Sequence, residues 1–197
     1  MKIMIASDLH GSSFYTEKLI ERYEIEKCEK LLLLGDLLYH NPKSVSSDLF
    51  DRRKVISILN SREDDIVCVR GNCDTEIDQN ALYFPILDDY RVFSIHGRTV
   101  YATHGHFYGE YDPPRLNDKD ILLTGHTHVP ACADHGFWYL NPGSVSIPKN
   151  GSWHGYMIFE DGVFIWKDLD GIEKMKFNMD NGKSEIYQQY VFFEKLK

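Results

Sequence analysis

Seven residues of metal-ligating type fall in five short blocks that each carry a glycine. Asp8 and His10 stand in Ser7-Asp8-Leu9-His10-Gly11, Asp36 follows Gly35, and Asn72 lies between Gly71 and Cys73. His104 stands in Thr103-His104-Gly105-His106, and His126 and His128 in Gly125-His126-Thr127-His128. Carboxylate, imidazole and amide oxygen together can hold two divalent cations, provided that one carboxylate bridges them. Such a pair activates water and clamps a phosphoryl group for in-line displacement. Taken singly, each block is bland. Asp8 and Asp36 have the type of a helix N-cap, Asn72 of a turn residue, and a lone His of a hydrogen-bonded structural residue. The weight lies in the joint occurrence, each block standing just after a strand-like run.

Those runs must place the blocks. Residues 2–7 are apolar and read as a buried strand ending at Asp8 and His10, and positions two apart in a strand share a face. Residues 16–30 carry Leu19, Ile20, Tyr23 and Cys28 at helical spacing. Residues 31–34 form a continuous apolar run, as in a strand covered on both faces, and lead to Asp36. Residues 48–60 read as a second helix with Leu49, Val55, Ile56 and Leu59 inward, and 65–69 as a strand leading to Gly71-Asn72. Strands at 98–103 and 121–124 lead to His104 and to Gly125-His126. In open α/β sheets, sites form outside the carboxyl ends of the strands, so the five blocks are expected at one edge. From Gly136 onward strands follow without helices, at 137–140, 154–160 and 162–168, with Asp161-Gly162 suited to a hairpin turn. The expected fold is a layered α/β sandwich, its first half crossing over through helices and its second half closing a facing sheet. Residues 183–197, with Ile186, Tyr190 and Phe193 near helical spacing, read as a helix, with a strand over 187–193 as the alternative.

The chain has 197 residues, which suits one domain over 1–197 with a tail from about residue 171 of no evident role. At this size about 70% of the unfolded surface is buried without disulfide staples. A net charge of -8 opposes nonspecific binding to nucleic acid or to anionic membrane. No apolar run approaches the ~20 residues of a membrane span, and the start of the chain reads as a strand and not a signal peptide. Four cysteines, Cys28, Cys68, Cys73 and Cys132, form no CxxC pair, which fits a reducing cytoplasm.

The order DxH, GD, GN, GH, GHTH resembles that of the calcineurin-like metallophosphoesterases. Longer stretches are similar to the small bacterial phosphodiesterases of the YfcE type: Gly35-Asp36-Leu37-Leu38-Tyr39-His40-Asn41-Pro42, Arg70-Gly71-Asn72-Cys73-Asp74, Gly125-His126-Thr127-His128-Val129-Pro130 and Asn141-Pro142-Gly143-Ser144-Val145-Ser146-Ile147-Pro148-Lys149. The resemblance runs from residue 2 to 149. It implies a four-layer α/β/β/α sandwich with two metals, one held by Asp8, His10, Asp36 and His128, the other by Asp36, Asn72, His104 and His126. It implies Mn²⁺ as the usual ion; the nitrogen and oxygen donors also suit Fe, Ni or Zn. It further implies hydrolysis of small phosphodiesters by a metal-bridging hydroxide, and homo-oligomers. Asp36 and Asn72 are then catalytic as well as ligating.

One position departs from the wider superfamily. Many of its members carry His after the Asn, where this chain has Cys73. A thiol is a poor acid for an alkoxide leaving group, so either the proton comes from elsewhere or the leaving group is weakly basic; His40 and His106 are the uncommitted imidazoles, able to bind phosphate or supply the proton. Phosphomonoesterase or phosphoprotein phosphatase activity is the alternative, and Cys73 argues against it. A non-catalytic scaffold, like the retromer subunit of this fold, is a further alternative that the filled ligand positions oppose. Substrate selectivity is expected in residues 39–47 and 107–116, with Tyr108, Tyr111 and Arg115.

Overall fold

The computed structural model describes residues 1–39 and 49–186. The chain opens with β1 (Ile3–Ala6), α1 (Ser13–Glu26), β2 (Lys30–Leu33), α2 (Arg52–Asn60) and β3 (Ile66–Cys68). The three strands are parallel neighbours in the order β1-β2-β3, as their helical crossovers require. Helix α1 starts earlier than its apolar spacing suggests, because the Ser12 side chain caps it by accepting from the Tyr15 N–H. It ends at Glu26, where Lys27 turns left-handed with φ 55 and releases the chain into β2. Helix α2 is capped by the Asp51 side chain, so Leu49 precedes the helix and does not lie on its inner face. Residue 48 lies outside the described residues.

After a short helix, α3 (Glu76–Gln79), the remainder is β-structure: β4 (Tyr90–Ile95), β5 (Arg98–Thr103), β6 (Ile121–Leu123), β7 (Pro130–Asp134), β8 (Trp138–Pro142), β9 (Gly155–Glu160), β10 (Val163–Asp168), β11 (Glu173–Asn178) and β12 (Lys183–Ile186). A seven-stranded sheet runs β12-β11-β10-β9-β1-β2-β3 and a five-stranded sheet runs β4-β5-β6-β8-β7. The β9–β10 turn is Asp161-Gly162, with φ 48 and 79, the double positive φ that suits a tight hairpin. Residues 183–186, expected as helix, pair antiparallel with β11. The Asn178 carboxamide accepts from Asp180 and Asn181 N–H groups and folds the chain back as a hairpin. The rest of the expected helix, with Tyr190 and Phe193, lies outside the described residues.

The two sheets stack face to face. Ile5, Leu32, Val100, Ala102, Leu123, Leu140, Met157, Phe159 and Trp166 fill the space between them. On the far side of the larger sheet, Met4, Ala6, Leu31 and Leu33 pack with Leu19 and Tyr23 of α1 and Val55 and Leu59 of α2. Strands β1 and β2 therefore have no polar face, as their unbroken apolar runs anticipate. The outer face of the smaller sheet lies under the β5–β6 connection, residues 104–120, which is irregular chain. Tyr108 of that connection meets Tyr101 of β5 edge-on at 5.9 Å.

Candidate metal centre

Strands β1, β2, β3, β5 and β6 each end at a block of interest. The larger sheet supplies Asp8, His10, Asp36 and Asn72; the smaller supplies His104, His126 and His128. Five of the seven residues sit at positive φ without being glycine: Asp8, His10, Asp36, His126 and His128 at 59, 46, 56, 64 and 64. Each such conformation costs about 1–3 kcal/mol and persists only where neighbours over-determine it. Here a backbone ladder does so: Asp8 N–H donates to the Gly35 carbonyl at 3.1 Å, and His10 N–H to that of Asp36 at 2.9 Å. Glycine lets the turns approach. A Cβ at Gly71 would lie 2.2 Å from Asp36 Oδ1, and one at Gly125 would lie 1.9 Å from Ser7 Oγ.

Three imidazoles are fixed by carbonyl oxygens. His104 Nδ1 lies 2.6 Å from the Leu34 oxygen, His128 Nδ1 2.6 Å from Ile147, and His10 Nδ1 3.0 Å from Tyr39. A carbonyl only accepts, so each Nδ1 carries hydrogen and each Nε2 faces inward as a donor of electrons. His104 Nε2 faces Asn72 Oδ1 at 3.0 Å and Asp36 Oδ2 at 3.5 Å. His10 Nε2 faces His128 Nε2 at 3.4 Å. His126 turns its Nδ1 to His104 Nε2 at 3.3 Å. Lone pairs set against lone pairs repel unless a proton or a cation lies between them. Asp8 Oδ1, buried and accepting no hydrogen bond, faces His128 Nε2 at 3.2 Å and His10 Nε2 at 3.6 Å. Asp8 with His10 and His128, and Asp8 with Asp36 and His104, form groups whose donor atoms lie within 4.8 Å of one another. This set of inward nitrogens and oxygens fits divalent cations.

The electrostatics agree. Burial disfavours charge on His104, but its hydrogen bond to Asp36 and the charges of Asp8 and Asp36 raise it to about 9. His10 is raised against burial by Asp8 and Asp36. Burial likewise works against ionised Asp8 and Asp36, yet His10 and His128 hold Asp8 well below the carboxylate range, and His104 lowers Asp36. Burial, then the charge of His104, lowers His126 and His106. Burial and the neighbouring Asp36 push the Cys73 thiol up to about 12, so it is neutral.

A second ring of side chains fixes the donors. The Asp74 carboxylate accepts the N–H groups of Asp36, Leu37 and Gly71 at 2.9, 2.9 and 2.8 Å. Asp36 Oδ1 accepts the Cys73 N–H at 2.8 Å, leaving Oδ2 for the histidines. Ser144 and Ser146 hydroxyls both donate to the Asp8 carbonyl, at 3.0 and 2.8 Å. Asn141 Nδ2 donates to the Gly125 carbonyl at 2.7 Å. Asp74 shows itself in the sequence by standing beside Asn72; Asn141, Ser144 and Ser146 carry no residue-type signal of their own, only the motif that contains them. His106 stands at the rim, its ring 5.4 Å from His104 and 6.3 Å from His126. His40 lies outside the described residues, and Tyr111 is 90% exposed. An apolar cavity of about 360 Å³ lined by Ile3, Leu32, Ile95 and Phe159 lies at the opposite end of β1 from Asp8 and is no part of this centre.

Residues 1–161 match the calcineurin-like phosphoesterase superfamily domain. The chain is 39% identical over 164 residues to Phosphodiesterase YfcE of Escherichia coli K12, covering 83% of this chain and 89% of that protein. The solved structure of the E. coli YfcE phosphoesterase superposes with a TM-score of 0.86 at 36% identity, over 91% of this chain and all of that one. Vps29 of Chaetomium thermophilum shares the fold at TM-score 0.55 and 16% identity, over 95% of this chain and 98% of that one.

Proposed function

Because the chain belongs to the calcineurin-like phosphoesterase superfamily, we propose that it acts as a single catalytic domain. It hydrolyses small phosphodiesters with two divalent metal ions. The observation that carries this reading is the buried Asp8 Oδ1, which accepts no hydrogen bond and faces the Nε2 atoms of His128 and His10 at 3.2 and 3.6 Å, within a cluster that gathers all seven donors. Asp8, His10, Asp36 and His128 would hold one ion; Asp36, Asn72, His104 and His126 would hold the other. When bound, these ions polarise phosphoryl oxygens and make water nucleophilic near neutral pH. The donor set admits Mn²⁺, the reading preferred from the family, and also Fe, Ni or Zn.

The chain's own residues do the rest. Asp36 keeps Oδ2 turned inward through the tether of Oδ1 to the Cys73 N–H. His106, neutral at pH 7 because burial and His104 lower it, offers a hydrogen bond to a phosphate oxygen or takes part in proton transfer. His40 would share that role and lies outside the described residues. The neutral thiol of Cys73 supplies neither a positive charge for a dianionic monoester nor an acid for a basic leaving group. A singly charged diester with a weakly basic leaving group suits it better. The name of the YfcE relative supports the same reaction class.

Other properties follow the same reading. Tyr90, Val92, Phe107 and Tyr111 are exposed near the outer face of the smaller sheet and support self-association into a homo-oligomer. The cysteines among the described residues are all free, consistent with a reducing cytoplasm. No helix among the described residues is long and apolar enough to cross a membrane.

The test is hydrolysis of bis(p-nitrophenyl) phosphate and p-nitrophenyl phosphate by metal-stripped protein with Mn²⁺ restored. Wild type is run beside Asp36→Ala and His126→Ala. Manganese-dependent diesterase activity absent from both variants is expected. A preference for the monoester would overturn the role given to Cys73, and activity retained in both variants would overturn the site.

A further inference from the structure

A groove of about 380 Å³ opens beside the metal centre, with Tyr39, Phe50, Arg52, Cys73, Thr75 and Ile77 on its walls. That volume is within the range of small-molecule sites. Two of its residues belong to the centre itself. Cys73 Sγ lies within 4.8 Å of donor atoms of His10 and Asp36, and the Tyr39 carbonyl holds His10 Nδ1. The groove is thus continuous with the place where phosphorus must sit.

Its walls differ in chemistry. Tyr39 and Phe50 offer rings and Ile77, 74% exposed, an aliphatic edge. At the other side Arg52 Nη2 donates to Asp78 Oδ1 at 2.7 Å, and the Asp78 carboxylate accepts the Thr75 hydroxyl. One carboxylate balances the guanidinium charge, so the groove does not call for a second anion. A guanidinium has five N–H groups, and the bond to Asp78 uses one of them. Cys73 adds a small uncharged wall.

We propose that this groove receives one ester arm of the substrate, and that the arm is a flat ring with hydrogen-bond acceptors on its edge, of aryl or nucleobase type. This inference rests on the phosphodiesterase reading and adds a substrate class to it. The ring lies against Tyr39, Phe50 and Ile77, and its acceptors meet Arg52. A purely alkyl arm leaves Arg52 without a ligand contact, and a doubly charged arm finds Arg52 already balanced.

Calorimetric titration of the Mn²⁺-loaded full chain with phenylphosphonate and methylphosphonate tests this, because the two probes differ only in the arm. In wild type the phenyl compound is expected to bind about tenfold more tightly, as for one ring moved onto an aromatic wall. In Ile77→Gln the ratio is expected to fall towards one, and in Arg52→Gln the extra affinity that wild type shows for 4-pyridylphosphonate over phenylphosphonate is expected to be lost, with both variants checked for folding by thermal melt. Equal affinities in wild type, or both preferences unchanged in the folded variants, would overturn the groove assignment. Hydrolysis of bis(p-nitrophenyl) phosphate is followed alongside. Active wild type with equal phosphonate affinities refutes the groove alone, whereas an inactive wild type that prefers phenylphosphonate refutes the reaction and leaves the groove standing.

Discussion

The carboxylate of Asp74 holds the backbone of Asp36: Oδ2 accepts the Asp36 N–H at 2.9 Å and, with the same oxygen, the Gly71 N–H at 2.8 Å. Two loops from two different strands, which carry the proposed ligands Asp36 and Asn72, are thereby locked together. Asp74 is 2% exposed, so nothing else can satisfy those donors.

Asp74→Asn keeps the shape but turns an amide N–H₂ towards backbone donors. Leaving a buried N–H unpaired costs about 1–3 kcal/mol, and loss of an outer partner of a metal site lowers metal affinity about 10–100-fold. Denaturant unfolding and metal titration check both. Wild-type metal affinity in the variant would show that Asp74 only stabilises the fold.

Gly71→Ala places a Cβ 2.2 Å from both the Asp36 backbone nitrogen and Asp36 Oδ1. Because this contact is with fixed backbone, Asp36 must move. The expected result is a folded protein with hydrolysis reduced by at least about tenfold, as for an ångström-scale misplacement in a site. Gly97→Ala, whose Cβ meets nothing within 4 Å but whose φ of 74 strains a side chain, is the control for backbone strain far from the centre: some stability is lost and hydrolysis is kept.

Metal uptake is expected to strengthen as pH rises. His104 goes from an ordinary 6.5 to about 9 in the folded chain, so its proton stabilises the metal-free fold fully below 6.5 and that contribution is lost as pH rises through 9. A metal ion must displace this proton, so binding releases it. Titrations in weakly buffered solution between pH 6.5 and 9 should show acid release on Mn²⁺ addition and a dissociation constant that falls with pH. A constant independent of pH in that window would remove His104 from the ligand set.

Far from the centre, Glu26 ties α1 to the larger sheet. Its carboxylate accepts from Lys167 Nζ at 2.9 Å, the Tyr156 hydroxyl at 3.2 Å and Arg22 Nη2 at 3.3 Å. Burial opposes ionisation, but these donors, Lys167 first, lower its pKa below 4.5. The stabilisation is therefore fully present above pH 4.5 and lost as pH falls through the folded value. Glu26→Gln should cost about 1–3 kcal/mol near neutrality, with the gap to wild type closing in acid. Thermal melts across pH 3–7 measure it.

The larger part of the centre was legible because its residues are chemically specific and stand at strand ends. Asp8, Asp36, Asn72, His104 and His126 each follow an apolar run, and those runs are the strands observed. What sequence could not supply was the pairing of distant segments. Strand β4 carries Tyr90, Val92 and Ser94 outward and reads as surface chain until pairing with β5 turns Phe93 and Ile95 to the layer between the sheets. Strand β7 opens on Pro130, which an edge tolerates and a central position does not. Residues 183–186 carry one apolar residue, Ile186, too little pattern to separate helix from strand, and pairing with β11 after the Asn178 turn makes them a strand. Ser144 and Ser146 look like an ordinary turn; they reach the Asp8 carbonyl beside the pairing of β1 with β9, a partnership over 150 residues of chain.

That partnership sets an order of events during synthesis. By residue 128 the nascent chain has all seven donors, and by residue 142 the smaller sheet has every strand it needs. Yet the middle layer also needs Met157, Phe159, Phe164 and Trp166 from β9 and β10, and the Asp8 carbonyl waits for Ser144 and Ser146. An emerging chain thus carries all seven proposed donors before the strands that complete the layer beneath them and the hydroxyls that hold Asp8 have been made.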